Sequence, residues 1–221
     1  MRVLAVVEGR SEELLLRRLV APHLAKRAVH LEPMRVLRGR GARGGGSSWQ
    51  PWQRHLSGLL AGQPNQGVKI TTMLDLYRIP SDTPGYTPPD GRGEERAAAM
   101  IQAIHAQFGG DWRLIPYIQV HEFEALLYSD LTALTRVEPT LFPEREVDDL
   151  AASVSHLAPE AVNGGEATAP SKRILAAMPG FDKVDHGVAA AEAIGLQALR
   201  AKCPRFDEWI ATLEALGAPQ S

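Results

Sequence analysis

Acidic residues that directly follow apolar segments are the residues whose types and spacing could do chemistry. The apolar segment 3–7 ends at a carboxylate, a glycine follows, and Glu12 lies three residues after that glycine in a leucine-rich stretch. Two later apolar segments, 68–74 and 114–120, also lead into carboxylates. The carboxylates that follow the three segments are Glu8, Asp75, Glu122 and Glu124. Carboxylate oxygens suit Mg²⁺ or Mn²⁺, and the sequence has no Cys or His cluster with the ligand spacing of a zinc site.

The elements that must position these carboxylates form an alternating pattern of strands and helices. Short β-branched segments are typical of buried parallel strands, and segments with apolar residues at helical spacing separate them. The predicted strands are 2–7, 29–37 with an interruption at Pro33, 68–75 and 114–120, and the predicted helices are 11–27 with Ser11 as its cap, 49–61 and 94–108. This alternation predicts an α/β fold with a parallel sheet, in which the carboxyl ends of the strands meet at one edge.

Each carboxylate also has a purely structural explanation. Glu8 could stabilise the following helix through its charge near the helix N-terminus, and Asp75 could form an Asx turn before Tyr77. Helical spacing over 121–124 places the two glutamates on different faces, so only one of them is expected to point into a site. What favours a functional site is that all of these carboxylates follow predicted strands.

The second half of the sequence differs in pattern from the first. Residues 129–221 contain short helical patterns separated by proline and glycine, and they end in an amphipathic helix over 204–216. We expect an α/β core over 1–128 and a helical C-terminal extension over 129–221 that packs on it. No apolar segment reaches the roughly 20 residues that span a membrane, so we expect no membrane association and a cytoplasmic location. The single cysteine, Cys203, is expected to be a buried apolar residue.

A basic segment without acidic residues extends over 33–74. Its glycine-rich loop carries Arg38, Arg40 and Arg43, and a block of one charge sign attracts polyanions such as nucleic acid. We expect these arginines to bind the phosphate backbone without reading sequence, and a solvated loop is the alternative. The glycines do not have the spacing of a P-loop or a dinucleotide fingerprint, which argues against an NTPase or a dehydrogenase.

Several motifs resemble known families. The run 6–12, with its leucine-rich helix and a later strand that ends in Asp75, resembles the Toprim fold of topoisomerases, bacterial primases and the overcoming-lysogenization-defect nucleases. Nearly the whole chain resembles more closely an uncharacterised bacterial Toprim-like family, a domain of unknown function often found beside genes for AAA ATPases. The segments that carry this closer resemblance are Leu74–Tyr77, His121–Leu127, Pro170–Arg173 and Phe181–Lys183.

The resemblance implies a Toprim-like parallel sheet flanked by helices, and a metal-dependent nuclease that acts on DNA or RNA in phage defence with an AAA-type ATPase as partner. The bound Mg²⁺ or Mn²⁺ would orient a water and offset charge on the scissile phosphate. Glu12 would act as an outer ligand or general base. Lys172 or Arg173 would stabilise the transition state, although Pro170 also starts a helix naturally. Lys183 is a further candidate for this role.

One position departs from the Toprim pattern. The second acidic motif of active Toprim enzymes is Asp-x-Asp, whereas this sequence has Asp75 followed by Leu76 and Tyr77, and Asp82 is too distant to replace the missing acid. A ligand could come from the glutamates at 122 and 124, or a two-metal site could be reduced to one. The departure favours an alternative function, a non-catalytic Toprim-like adaptor or regulatory subunit that binds an ATPase.

Overall fold

A computed structural model gives the structure of the protein and describes residues 1–36, 48–63, 67–89, 92–162 and 168–217. The predicted phosphate-binding residues Arg38, Arg40 and Arg43 lie outside these described residues. Among the described residues, no helix combines the length and apolar sequence needed to cross a membrane.

A parallel sheet forms the centre of the structure. Its strands are β1 (Arg2–Val7), β2 (His30–Arg35), β3 (Val68–Asp75), β4 (Leu114–Ile115) and β5 (Ile118–Gln119). The strand order is β2-β1-β3-β4, and β5 pairs with β3 beyond the end of β4, so that β4 and β5 together form one interrupted edge strand. All pairings are parallel, which confirms the predicted α/β fold.

Helices connect and flank the strands. Those of the first half are α1 (Arg10–Leu15), a π-helical turn (Leu16–Val20), α2 (Ala21–Ala25), α3 (Gln50–Gly62) and α4 (Gly93–Gln107). A 3₁₀ helix covers Phe123–Ser129. The later elements are α5 (Thr132–Val137), α6 (Glu144–Val154), a 3₁₀ turn (Pro159–Ala161), α7 (Pro170–Ala177), a π-helical turn (Lys183–Gly187), α8 (Val188–Ile194), α9 (Leu196–Lys202) and α10 (Pro204–Ala215).

The two edge strands differ from the sequence-based prediction. Strand β2 runs through Pro33, which lies opposite Ala5 of β1, because a proline is tolerated where one side of the strand has no neighbour. The predicted strand 114–120 is broken between β4 and β5. There the hydroxyl of Thr72 accepts from the backbone N–H of Tyr117 at 2.9 Å and donates to its carbonyl at 2.8 Å. A side chain thus satisfies the backbone groups at the break.

The first helical region begins earlier than predicted and is not uniform. It starts at Arg10 with Gly9 as its N-cap, so Ser11 lies inside the helix and is not the cap. The π-helical turn precedes Pro22, which lies in the first turn of α2. A proline removes one helical hydrogen bond and crowds the preceding turn, and a wider turn accommodates that.

Both faces of the sheet are buried. Side chains alternate along β1, so that Val3 and Val7 belong to one apolar cluster and Leu4 and Val6 to another. The first cluster includes the helices after residue 128 and α1, and the second includes α3 and α4. Cys203 is fully buried in the first cluster, as predicted for a small apolar residue.

Candidate functional site

The carboxyl ends of β1 and β3 form the base of the site. These strands are parallel neighbours, with Val7 opposite Met73, so Glu8 and Asp75 leave the sheet at the same edge. Strand β5 pairs Gln119 with Asp75, and the chain then enters the segment that carries the later glutamates. The sheet topology therefore brings the three predicted carboxylate-bearing segments to one edge, as expected for ligand sites in open α/β sheets.

Asp75 carries a buried carboxylate oxygen at the carboxyl end of β3. Its Oδ1 atom is buried and has no hydrogen-bond partner among the described residues. Burial raises the pKa of Asp75 well above its usual range, and the charges of Glu12, Glu124, Glu8 and Glu122 raise it further. All five carboxylates lie on segments that the sheet topology brings to this edge, and they are called the carboxylate cluster below.

Glu12 reaches the cluster from the first turn of α1. Its side chain is buried, and its Oε2 accepts a hydrogen bond from the backbone N–H of Gly9 at 2.9 Å. A Cβ at residue 9 would lie 2.9 Å from the same oxygen, so a side chain there would push the Glu12 carboxylate aside. Burial raises the pKa of Glu12, and the charge of Glu8 adds to the rise.

The turn after β5 delivers two glutamates, not one. His121 has a left-handed backbone (φ 68°), and its carbonyl accepts from the backbone N–H of Tyr77 at 2.6 Å. Glu122 is extended, and the 3₁₀ helix begins only at Phe123. Both Glu122 and Glu124 are 1% exposed and contact the same lysine. The prediction that only one glutamate points into the site is wrong, because it assumed one continuous helix.

That lysine is Lys183. Its Nζ lies 3.2 Å from Oε2 of Glu122 and 2.8 Å from Oε1 of Glu124. The other oxygen of Glu122 accepts from the backbone N–H of Ser171 at 2.6 Å, in the first turn of α7. The site therefore combines groups from the sheet edge, from α7 and from the π-helical turn before α8.

Burial and neighbouring charges act differently on the pKa values of Lys183 and Glu124. Burial lowers the pKa of Lys183, but the charges of Glu124 and Glu122 outweigh it, so the pKa lies above its ordinary value and the ammonium stays protonated. Burial raises the pKa of Glu124 to about 7 despite the opposing charge of Lys183, and Glu122 adds to the rise. The charge of one lysine does not compensate the burial of Glu124.

The other predicted cations lie differently. Lys172 is exposed on α7, and the guanidinium of Arg173 donates through Nε to the carbonyl of Thr168 at 2.9 Å. Sequence reasoning left Lys172, Arg173 and Lys183 open, and the structure places Lys183 among the carboxylates. No local pattern marks Lys183, since its contacts with Glu122 span 61 residues.

Tyr77 stands two residues after Asp75, where the Toprim resemblance of the sequence would place a second acid. Its hydroxyl oxygen is buried and has no partner within the described part of the chain. Asp82 does not replace the acid, because its carboxylate accepts from the backbone N–H of Trp49 at 2.7 Å and from the hydroxyl of Ser48 at 2.8 Å. Asp82 therefore stabilises the start of α3.

The ligand atoms that these residues offer decide whether the site suits a divalent cation. In the described ranges, no group of three or more His, Cys, Asp or Glu residues has the arrangement of a ready-made metal site. Mg²⁺, however, is commonly bound by only one or two carboxylates together with waters and substrate phosphates. The unpartnered Oδ1 of Asp75 and the oxygen-only donor set fit such an ion. A cleft of about 510 Å³ opens beside Glu8, between α1 and the end of β2.

Comparisons with known proteins give one family and one related structure. No curated protein matches the chain. A similar solved structure is the C-terminal region of the Burkholderia pseudomallei OLD protein, with 14% sequence identity and a TM-score of 0.48 over 97% of this chain and 98% of that one. The family model described as "Domain of unknown function (DUF4276)" matches residues 7–214. The chain therefore belongs to the DUF4276 family.

Proposed function

We propose that the protein is a Mg²⁺- or Mn²⁺-dependent phosphodiesterase that acts on nucleic acid. The observation that carries the proposal is the buried Oδ1 of Asp75, which has no partner in the described structure and lies in a cluster with four other carboxylates. Buried charges in proteins are normally paired or bound to metals. The Toprim resemblance of the sequence supports the same function.

The charge balance favours a bound cation over a purely structural cluster. Five carboxylates share this sheet edge, and Lys183 contacts only Glu122 and Glu124 of them. Burial is the main cause of the raised pKa values of Asp75, Glu12 and Glu124, and the charges of neighbouring carboxylates add to the rise. A divalent cation at Asp75 would favour the ionised forms and remove the mutual repulsion.

The residues take distinct parts in the proposed chemistry. Asp75 and Glu8 would hold the ion, which when bound activates a water and offsets charge on the phosphate. Glu12, fixed by the Gly9 N–H, orients the first turn of α1 beside the ion. The Lys183 ammonium donates to an anionic oxygen of the phosphate as negative charge develops there. Glu122, anchored by Ser171, positions that ammonium.

The substrate and partner complete the proposal. Nucleic acid is favoured by the basic segment that carries Arg38, Arg40 and Arg43, since such a segment binds phosphate backbones through charge. A role in phage defence together with an AAA-type ATPase follows from the family resemblance of the sequence.

A specific observation favours a second function. Tyr77 stands where active Toprim enzymes have their second acid, which weakens the ion site. A non-catalytic adaptor that binds an ATPase through a Toprim-like shell would tolerate this change. An adaptor would form a stable complex with the ATPase and would show no response to metal.

Cleavage of supercoiled plasmid and of labelled RNA in Mg²⁺ or Mn²⁺ tests the proposal. We expect the wild type to cleave at least one of them, and Asp75→Asn and Glu8→Gln to lose detectable cleavage because the ion loses its anionic ligands. The matched control is Glu32→Gln, since Glu32 is an exposed carboxylate of β2 paired with Arg2 at 2.7 Å. The control should cleave like the wild type.

Each contrary result has a definite meaning. Cleavage that persists in Asp75→Asn would come from a contaminating nuclease and would remove the support for this site. No cleavage by the wild type under any condition, with or without an ATPase encoded beside it, would exclude the enzyme and leave the adaptor.

A further inference from the structure

The carboxylates of the site divide into two groups by the donors that contact them. The Lys183 ammonium donates a hydrogen bond to Glu122 and forms an ion pair with Glu124, whose Oε1 lies 2.8 Å away without hydrogen-bond geometry. Oδ1 of Asp75 is buried and has no hydrogen-bond partner within the described part of the chain. Two-metal phosphodiesterases need carboxylates for two ions about 3.5–4 Å apart. Among the described residues, a lysine contacts the pair of glutamates, and Oδ1 of Asp75 has no donor.

We propose that the site takes a single divalent cation, at Asp75 and Glu8, and that the Lys183 ammonium supplies the second positive charge between Glu122 and Glu124. The inference rests on the metal site of the proposed function and specifies how many ions that site holds. It makes Lys183 a resident counterpart of the second metal ion.

The contact distances support this assignment. At 2.8 Å from Glu124 and 3.2 Å from Glu122, the Lys183 Nζ occupies the space between the oxygens that a second ion would use. The remaining oxygen of Glu122 already accepts from the Ser171 N–H at 2.6 Å. A second divalent ion would have to displace the ammonium or bind beside it against like-charge repulsion.

The fold fixes the backbone of Lys183. Oδ1 of Asp182 accepts from the backbone N–H groups of Val184 and Asp185 at 2.8 and 2.7 Å, which caps the π-helical turn. At the end of that turn, a Cβ on Gly187 would lie 3.1 Å from the ring of Phe123. The missing side chain lets the turn pack directly on the 3₁₀ helix, which carries Glu124 and directly follows Glu122, and this packing places Lys183 beside both glutamates.

Tyr77 contributes the third argument. A neutral phenol stands two residues after Asp75, where a second acid would add negative charge for a second ion. The chain thus has one ligand fewer on β3 and one fixed ammonium more beside Glu122 than two ions require. Both differences favour one bound ion over two.

The test counts bound ions in the full-length protein. Mn²⁺ is titrated, free Mn²⁺ is measured by electron paramagnetic resonance, and calorimetry gives the stoichiometry independently. We expect one Mn²⁺ per wild-type chain, none in Asp75→Asn, one in Lys183→Arg, and two in Lys183→Gln, because the neutral amide vacates the charge between the glutamates. Lys202→Gln is the matched control, since Lys202 is an exposed lysine at the end of α9, and it should bind one.

The outcomes separate this inference from the proposed function. Two ions per wild-type chain would overturn the inference and leave a nuclease intact, and one ion in a folded Lys183→Gln would also overturn it. One ion in the wild type and two in Lys183→Gln would support it even if no nucleic acid were cut, in which case only the proposed function fails. No binding by the wild type would overturn both. The wild-type count remains decisive if Lys183→Gln does not fold.

Discussion

Two sets of acidic residues in this protein have opposite electrostatic surroundings. In the C-terminal helices, Glu214 accepts hydrogen bonds from Arg200 at 2.7 and 3.2 Å and forms an ion pair with Arg27 at 3.0 Å. Burial alone would raise the pKa of Glu214, but hydrogen bonds from Arg200 and His23 lower it to about 2. The donors around Glu214 therefore more than compensate for the effect of burial on its pKa.

At the strand ends the balance is reversed. Asp75 has a buried oxygen without a partner in the described structure, and the pKa of Glu124 is raised to about 7 by burial, although Lys183 opposes the rise. The same residue types are therefore saturated with donors in one region and crowded with one another in the other. Donor saturation is typical of an acid that stabilises the fold, whereas a strongly raised pKa in a buried cluster is typical of acids at functional sites.

Metal binding should give the largest effect on stability. A ligand that binds only the native state stabilises it by about 4.1 kcal/mol at a concentration of 1,000 times Kd. We expect Mn²⁺ to raise the free energy of unfolding of the wild type by about this amount in urea titrations, and to leave Asp75→Asn unchanged. An equal response of both proteins would mean that the ion binds elsewhere.

Removal of a saturated carboxylate comes next in size. Glu214→Gln should lower the free energy of unfolding by about 2–3 kcal/mol, because charged hydrogen bonds to Arg200 are lost. Asp75→Asn, measured without metal, should be neutral or stabilising, because it removes one charge from the crowded cluster. Chemical denaturation of both variants checks the contrast. A destabilised Asp75→Asn would show that the cluster is structural.

The smallest effect is the pH dependence, and its sign should differ between the two sets. The folded pKa of Glu124, about 7, exceeds its ordinary value of 4.5, so the metal-free protein should lose stability as pH rises from about 4.5 to 7. The folded pKa of Glu214 is about 2, so its contribution is complete above pH 4.5 and is lost as pH falls toward 2.

Thermal unfolding between pH 3 and 8, with and without Mn²⁺, measures both limbs of the pH dependence of stability, the one above pH 4.5 and the one below it. Glu124→Gln should flatten the limb above pH 4.5, and Glu214→Gln should flatten the limb below it. If neither variant changes its own limb, the assigned acids do not govern the pH dependence.

The parts of the fold that could be predicted from sequence depend on local patterns. Strands β1 and β3 were predicted with the bounds that the structure has, because a short β-branched run that ends at a carboxylate is a strong local signal. The parallel sheet followed from the alternation of strands with helices. Strand β2 was predicted to break at Pro33, since the sequence alone does not show which strand lies at an edge.

The composition of the site depended on long-range packing. The left-handed His121 turns the chain so that both glutamates enter the cluster, and a positive φ is too uncommon in residues other than glycine to be expected at a given position. Lys183 reaches the glutamates because Gly187 allows a close approach of two turns that are distant in sequence. Hydrophobic periodicity reveals neither the turn at His121 nor the approach of Lys183 to the glutamates. The sequence-based prediction of the site therefore did not include the contacts between Lys183 and the glutamates.

The anchoring of α10 has a consequence for folding during synthesis. The indole N–H of Trp209 donates to the hydroxyl of Thr71 at 2.9 Å, and its ring stacks on Tyr117 at a centroid distance of 4.4 Å. Thr71 and Trp209 are 138 residues apart, so β3 and the turn at Tyr117 emerge from the ribosome well before the helix that covers them. One apolar face of the nascent sheet therefore stays exposed until α10 has been synthesised, and such an exposed face is a natural binding surface for chaperones.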